Sequence, residues 1–423
     1  MARLISLFGI LVFLGVAWVL SRHRSRFPWR TVAWGLGLQV AFGLLILRTG
    51  FGRDCFAFAN DAVNRLIACA MDGAKMVFGS LADREFLADQ WGPSHASILL
   101  ITVTATIILV SSLSSLFYHW GILQRFVRGA AWLMQRAMRT SGSESLAAAA
   151  NVFAGMTEAP LIVKPYLKGM TESELLALMT GGMATIAGGV LAVYVSFGLS
   201  AGHLLTASVM SAPAALMVAK IMLPETQTSE TAAGAVVVKE REATNAIDAL
   251  CRGAGDGVML ALNVMGMLIA FVAVVALANF LLTGSQAWLF GWLGWEVTPV
   301  SLQRIFGWLN APVAWLIGVP WTDCSVVGQV LGERIVLNEW IGYSSLAGFQ
   351  KAGTLDPRSV TLATYALCGF ANFGSIAIQI GGIGPLAPER RSDLARLGLR
   401  AMVAGLLACY LTASLVGLLG QWD

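Results

Sequence analysis

Long apolar runs separated by short charged clusters dominate the chain. A helix rises about 1.5 Å per residue, so roughly 20 apolar residues cross the hydrocarbon of a bilayer. Runs of this kind predict membrane-spanning helices over 4–20, 31–47, 97–117, 203–223, 258–282 and 401–419. Two other stretches mix charged with apolar positions and predict amphipathic helices lying on the membrane rather than crossing it. The first, 49–93, carries Asp54, Asp61, Arg65, Asp72 and Lys75. In the second, 121–139, Arg125, Arg128, Arg136 and Arg139 interleave with Phe126, Trp132 and Leu133. The hydrophilic stretch 225–247 is too short for a domain.

Two regions, 140–200 and 305–388, are apolar but interrupted by Gly, Pro and polar residues. In the first, Glu158 lies in Gly155-Met156-Thr157-Glu158-Ala159-Pro160 and is followed by the Gly-rich run 181–189. In the second, Asn338-Glu339-Trp340 is followed by Cys368-Gly369-Phe370-Ala371-Asn372-Phe373-Gly374-Ser375 and then Gly381-Gly382-Ile383-Gly384. The same order thus occurs twice: a segment with a carboxylate, then an apolar helix with a polar, Gly-weakened middle. Interrupted segments at corresponding places of two halves point to a transporter binding site. Irregular backbone survives at membrane depth only where protein or a wet cavity satisfies it.

Composition agrees. Of 423 residues, 57% are hydrophobic and 12% charged, against about 25% charged in soluble domains. That excludes a soluble enzyme, a disordered protein and a nucleic-acid binder, and leaves an all-α polytopic membrane protein. The six cysteines show no metal or redox spacing, and His23, His95, His119 and His203 are far apart. The first apolar run ends in Arg22, His23, Arg24 and Arg26 without a cleavage site, so it reads as a retained span. Three basic clusters, 22–30, 125–139 and 390–400, belong in the cytoplasm with Lys239 and Arg241. This predicts an even number of spans with both termini outside, although Arg48 and Arg53 then fall on the outer side.

A carboxylate at membrane depth is costly and functional by default. For Glu158 the structural alternative is an ion pair with Lys164; Pro160 disfavours a continuous helix here and suits a re-entrant tip. Asn372 and Ser375, at i and i+3, would share a helix face and serve either helix packing or a ligand. With Glu339 they suit a polyhydroxylated solute. Phe370 and Phe373 are equally readable as packing or as a surface for a planar ring. Asn151 and Thr185 offer neutral oxygens of the sort a hard monovalent cation accepts. The hydroxyls of 97–117 suit small-residue packing better than a pathway. An intramembrane enzyme using Glu158 and Glu339 as acid and base is the remote alternative; no filter motif favours a channel.

The stretches GMTEAPLIVKPYL (155–167), GGMATIAGG (181–189), Asn338-Glu339 and CGFANFGSIAIQIGGIGPLAPERRSDLARLGLR (368–400) closely resemble the signature segments of bacterial concentrative nucleoside transporters. The resemblance extends over nearly the whole chain. It implies eight transmembrane helices, two re-entrant hairpins and an inverted repeat in a homotrimer of the inner membrane. In that scheme 97–117 and 258–282 are scaffold helices at the trimer axis. The first hairpin is 140–170, the broken fourth span 171–200, the second hairpin 305–350 and the broken seventh span 357–388. It further implies sodium-coupled symport of nucleosides such as uridine, cytidine and adenosine by an elevator mechanism, with proton coupling the alternative. By resemblance Glu339, Asn372 and Ser375 hold the ribose, Thr157, Glu158 and Val190 face the base, and Phe370 packs near it. Asn151, Thr185 and the carbonyls of Ala154 and Ile186 match the sodium site. Met156 stands where the family often has Gln, which removes an amide from the base side.

Overall fold

The computed structural model describes residues 2–92, 98–232, 243–293 and 299–420. His95, Lys239 and Arg241, and the ends of the expected segments at Pro93 and Ser97, lie outside the described residues. Among the described residues every regular element is helical. That choice follows from the solvent: a helix satisfies its own backbone groups, whereas an open sheet edge would leave them unpaired in hydrocarbon.

Helices α1 (Ala2–Val19) and α2 (Trp29–Arg48) form on the first two apolar runs. The mixed stretch then folds as α3 (Gly50–Phe78), capped by the Thr49 hydroxyl accepting from the Gly52 amide at 3.1 Å, and the short α4 (Arg84–Trp91), capped by Asp83. The third run is α5 (Leu99–His119). Helix α6 (Ile122–Met138) is amphipathic as expected: Val127, Ala131 and Met134 face inward while Phe126 and Trp132 are exposed.

The interrupted region 140–200 resolves into α7 (Gly142–Asn151), α8 (Ala159–Ile162), α9 (Glu172–Ala184) and α10 (Gly188–Ser196). Ser141 with Glu144, and Thr171 with Glu174, form reciprocal capping boxes that start α7 and α9. Helix α11 (Ala201–Met222) is the central post, buried along most of its length against α2 and α9.

The fifth run departs from expectation. Helix α12 (Ala246–Leu293) has 48 residues, about 72 Å at helical rise, where only 258–282 was expected. Hydropathy falls after Leu282, but helix continuity does not. Thr283 donates its hydroxyl to the Asn279 carbonyl at 2.7 Å and Ser285 to that of Leu282 at 2.9 Å, which lets polar residues stay helical. Helix α12 packs along α5 through Gly253 and Gly257. A Cβ at either would fall 2.7 Å from a Cα of α5, Ser112 or Ile108 respectively. The serines of 97–117 therefore serve a close-packed seam.

Helices α13 (Leu302–Ile317), α14 (Cys324–Val336), α15 (Glu339–Lys351), α16 (Pro357–Ala366), α17 (Phe373–Ile383) and α18 (Arg391–Leu419) complete the chain. The interval 305–350 begins inside α13, a separate helix folded back along α14. The helical pair whose break carries Glu339 is α14–α15. Among the described residues six helices, α1, α2, α5, α11, α18 and part of α12, are long and apolar enough to cross a membrane.

The three basic clusters meet at one end of the bundle. Arg22 and Arg396 both pair with Glu172, at 2.9 and 2.7 Å. Arg30 donates to the carbonyls of Ala137 and Arg136, and Arg400 to that of Met222. At the other end Arg48 donates to the Leu419 carbonyl and Arg3 to that of Gly420.

Candidate functional site

Each half of the chain contains two adjacent helix breaks. In the first half α7 stops at Asn151 and the chain crosses to α8; then α9 stops at Ala184, Thr185 is extended (φ −121°, ψ 162°), and α10 starts at Gly188. The Gly188 amide donates to the Phe153 carbonyl at 3.3 Å, joining the two breaks. In the second half α14 stops at Val336 and α15 starts at Glu339 behind its cap Asn338, whose Oδ1 accepts from the Ile341 amide at 3.0 Å. Helix α16 stops at Ala366 and α17 starts at Phe373. Between them Gly369 has φ +91°, a conformation that a side chain disfavours, and a Cβ there would also strike the backbone of Met183 and Ala184. The α9–α10 break and the α16–α17 break therefore touch.

Glu339 lies at this junction, 7% exposed. One oxygen, Oε1, accepts from the Tyr194 hydroxyl at 3.3 Å; the other, Oε2, accepts from Asn372 Nδ2 at 2.9 Å. Its place in the first turn of α15 adds the favourable end of the helix dipole. Asn372 is not inside a helix, so it does not share a helical face with Ser375. It is the N-cap of α17: its Oδ1 accepts from the Ser375 amide at 2.9 Å, leaving the amide nitrogen for Glu339. A short polar side chain competes best for backbone donors at exactly such a helix start, which overrides the i, i+3 reading. Ser375 is buried, Phe370 is half-buried and Phe373 is 53% exposed.

On the segment between α7 and α8, Thr157 and Glu158 are exposed. Glu158 Oε2 accepts from the Gly155 amide at 3.2 Å. Among the described residues it has no ion pair with Lys164, which is itself exposed on a 3-10 turn, so the structural alternative for Glu158 is not what the chain adopts. Thr157 lies over Gly382 of α17, and Val190 is buried on α10. Met156 is 8% exposed and turned against Gly182, beside Gln379.

Asn151 is fully buried at the end of α7, against Gly181 of α9, and among the described residues neither its Oδ1 nor its Nδ2 has a hydrogen-bond partner. An unpartnered buried amide costs about 1–3 kcal/mol. Thr185, also buried, donates its hydroxyl to the Gly181 carbonyl at 2.9 Å, which leaves the oxygen lone pairs available. Ala154 and Ile186 are buried around them. Uncharged oxygens beside helix ends fit a sodium ion.

Several polar residues of this region escaped the sequence reading. Tyr194 follows Val190 by one helical turn, and Gln379, donating to the Met179 carbonyl at 2.9 Å, follows Ser375 by one turn; the i, i+4 spacing was a usable signal. Arg334, five residues before Glu339, is fully buried. A buried network at the basic end went unseen too. There Lys220 pairs with Glu144 at 2.6 Å and Glu225 at 3.3 Å, while Glu174 accepts from Ser143 and Ser229.

Apolar helices broken at corresponding places in two halves, with the breaks converging on a pinned carboxylate, form the arrangement of a secondary transporter. Comparison with known proteins gives the family. Residues 8–81, 100–201 and 203–417 match the models described as Na+ dependent nucleoside transporter N-terminus, nucleoside recognition, and Na+ dependent nucleoside transporter C-terminus. The chain is 42% identical to an uncharacterized transporter of Haemophilus influenzae, covering 99% of this chain and 98% of the other. It is 38% identical to the rat sodium/nucleoside cotransporter 1, across 99% of this chain and 64% of the rat protein. It superposes with a TM-score of 0.92, at 39% identity over 99% of this chain and 98% of that one, on CNTnw in an inward-facing substrate-bound state. The chain belongs to the Na+ dependent, concentrative nucleoside transporter family. Its relatives and its fold are those of transporters and not of enzymes.

Proposed function

We propose that the protein is a sodium-coupled symporter that imports nucleosides across the bacterial inner membrane, with both termini outside. The observation that carries this reading is the Glu339 carboxylate, fixed by Tyr194 and Asn372 where the two helix breaks meet, with the unpartnered Asn151 amide in the neighbouring break. A carboxylate whose two oxygens are each anchored once keeps its remaining lone pairs for the ribose hydroxyls of uridine, cytidine or adenosine. Asn372 and Ser375 complete the ribose side. Thr157, Glu158 and Val190 face the base, and Phe370 flanks it. Met156 brings no amide to that side, so base selectivity is loose across pyrimidines and purines.

Sodium, the co-transported ion, binds at Asn151, Thr185 and the carbonyls of Ala154 and Ile186. It orders the tip that presents Thr157 and Glu158, so ion and nucleoside favour each other's binding, a coupling typically of about 1–3 kcal/mol. The protein works as a homotrimer of eight spans and two re-entrant hairpins. The α5–α12 pair forms the scaffold, past which the remainder moves in elevator fashion.

The test is uptake of labelled uridine into proteoliposomes, with an inward sodium gradient or with choline in place of sodium. Accumulation only with sodium is expected. Equal uptake driven by a proton gradient in choline would remove the sodium assignment and leave the nucleoside reading. The variant Glu339→Gln should abolish uptake while the trimer still elutes intact; normal uptake would refute the ribose assignment.

A further inference from the structure

Arg334 sits on α14, two residues before that helix ends, with none of its surface exposed. Its Nη1 donates to the Ala366 carbonyl at 2.6 Å, and its Nη2 to the Cys368 carbonyl at 3.0 Å and to the Cys409 sulfur at 3.3 Å. Among the described residues no carboxylate forms an ion pair with it. A buried guanidinium with no carboxylate in contact is unusual, because desolvation is costly unless something of opposite polarity replaces the water; the Glu339 carboxylate is near enough to feel the charge but does not touch it. Here the replacement is backbone. Ala366 is the last residue of α16, so its carbonyl has no helical donor, and it lies at the negative end of the helix dipole. The break between α16 and α17 thus presents a carbonyl cradle that attracts a cation, and Arg334 fills it.

The first half is built alike and filled differently. Asn151 ends α7 and precedes Thr185, the residue after α9, by 34 positions; Arg334 precedes Cys368 by the same 34. Helix α7 packs on α9 as α14 packs on α16. In one half the hairpin helix brings an uncharged, unpartnered amide to the end of a broken helix. In the other it brings a charged side chain that satisfies the carbonyls itself.

We propose that Arg334 is a resident cation: its guanidinium permanently occupies the place in the second half that corresponds to the exchangeable sodium position of the first. This rests on the sodium-coupled reading above. Two consequences follow. The chain carries one exchangeable ion position and therefore moves one sodium per nucleoside. The tip bearing Glu339 is ordered whether or not sodium is present, and only the tip bearing Thr157 and Glu158 waits for the ion.

The experiment removes the tethered charge. Arg334→Met keeps the length and the apolar stem. Its uptake should require a second sodium, the Hill coefficient for sodium rising from about 1 toward about 2, whereas Arg334→Lys should keep the single-ion dependence. The purified Arg334→Met protein should also be stabilised against melting by added guanidinium ion, which should leave the wild type unmoved. Unchanged single-sodium dependence in Arg334→Met, or no selective rescue of its melting by guanidinium, overturns the proposal. If the variant does not fold, the wild type decides by its reversal potential: one sodium per uridine supports the proposal and two overturn it. A wild type indifferent to sodium would defeat the sodium reading instead, and the guanidinium arm would still judge the cradle.

Discussion

Tyr194 and Asn372 divide the Glu339 carboxylate between them, one oxygen each, and that division has a measurable consequence. Losing the tyrosine hydroxyl removes a hydrogen bond to a charged group, worth about 1.5–3 kcal/mol. Tyr194→Phe should therefore raise the KM for uridine roughly ten-fold or more at similar kcat, since about 1.4 kcal/mol is ten-fold. For 2′,3′-dideoxyuridine, which has no hydroxyls for Glu339 to receive, the same substitution should change KM little. Equal losses for both solutes would mean that Tyr194 only packs against Trp340 and Tyr343. Asn151 offers the opposite experiment. Asn151→Leu replaces an unpartnered buried amide by an apolar side chain of similar size, so the sodium-free protein should gain about 1–3 kcal/mol. Its melting temperature should then no longer rise with sodium; a persisting rise would place the ion elsewhere.

At the scale of elements, the seam between α5 and α12 depends on two missing Cβ atoms. Gly257→Val would push a branched side chain into the α5 backbone at Ile108. Overpacking of this kind typically costs about 1–3 kcal/mol, so the extracted variant should melt lower and elute more heterogeneously than the wild type. An unchanged profile would show that the seam opens freely. The breaks themselves were legible before the structure, because Gly, Pro and polar residues punctuate them: Gly181 to Gly189 mark one, Gly369 to Ser375 the other. Asn338 and Asn372 were legible as polar residues but not as helix caps, since that role depends on where each helix starts. The length of α12 was not legible from hydropathy, which reports what faces lipid and says nothing of a helix continuing through Thr283, Ser285 and Gln286. The interval 305–350 reads as one stretch in hydropathy because α13 is as apolar as α14 and α15, and the division into three helices depends on where each one starts and stops.

For the whole molecule, the charge pattern carried more than the pairings did. The three basic clusters were read as sharing one side, and Arg22, Arg30, Arg396 and Arg400 do gather at one end. The pairing of Lys220 with Glu144 and the partners of Arg334 were invisible because they lie far away along the chain; Cys409, for example, is 75 positions beyond Arg334. Local spacing carries no information about such contacts. The touching of the two breaks at Gly369 and Ala184 was hidden for the same reason, although each break was visible alone.

The Lys220 network also sets an order in time. Glu144 lies in the first turn of α7, yet its cationic partner stands at the far end of α11, and Thr231, which accepts from the Ser143 amide and whose carbonyl receives the Gly142 amide, is made later still. While the ribosome is extending α9, the start of α7 therefore holds an acidic group whose lysine partner has not yet been made. An unpaired carboxylate is costly to bury, so the start of α7 is expected to reach its buried position only after α11 has been delivered. One lysine near the end of α11, with Thr231 beyond it, thus holds the start of a helix made some seventy residues earlier, and the packing of that helix is expected to be among the late events of folding.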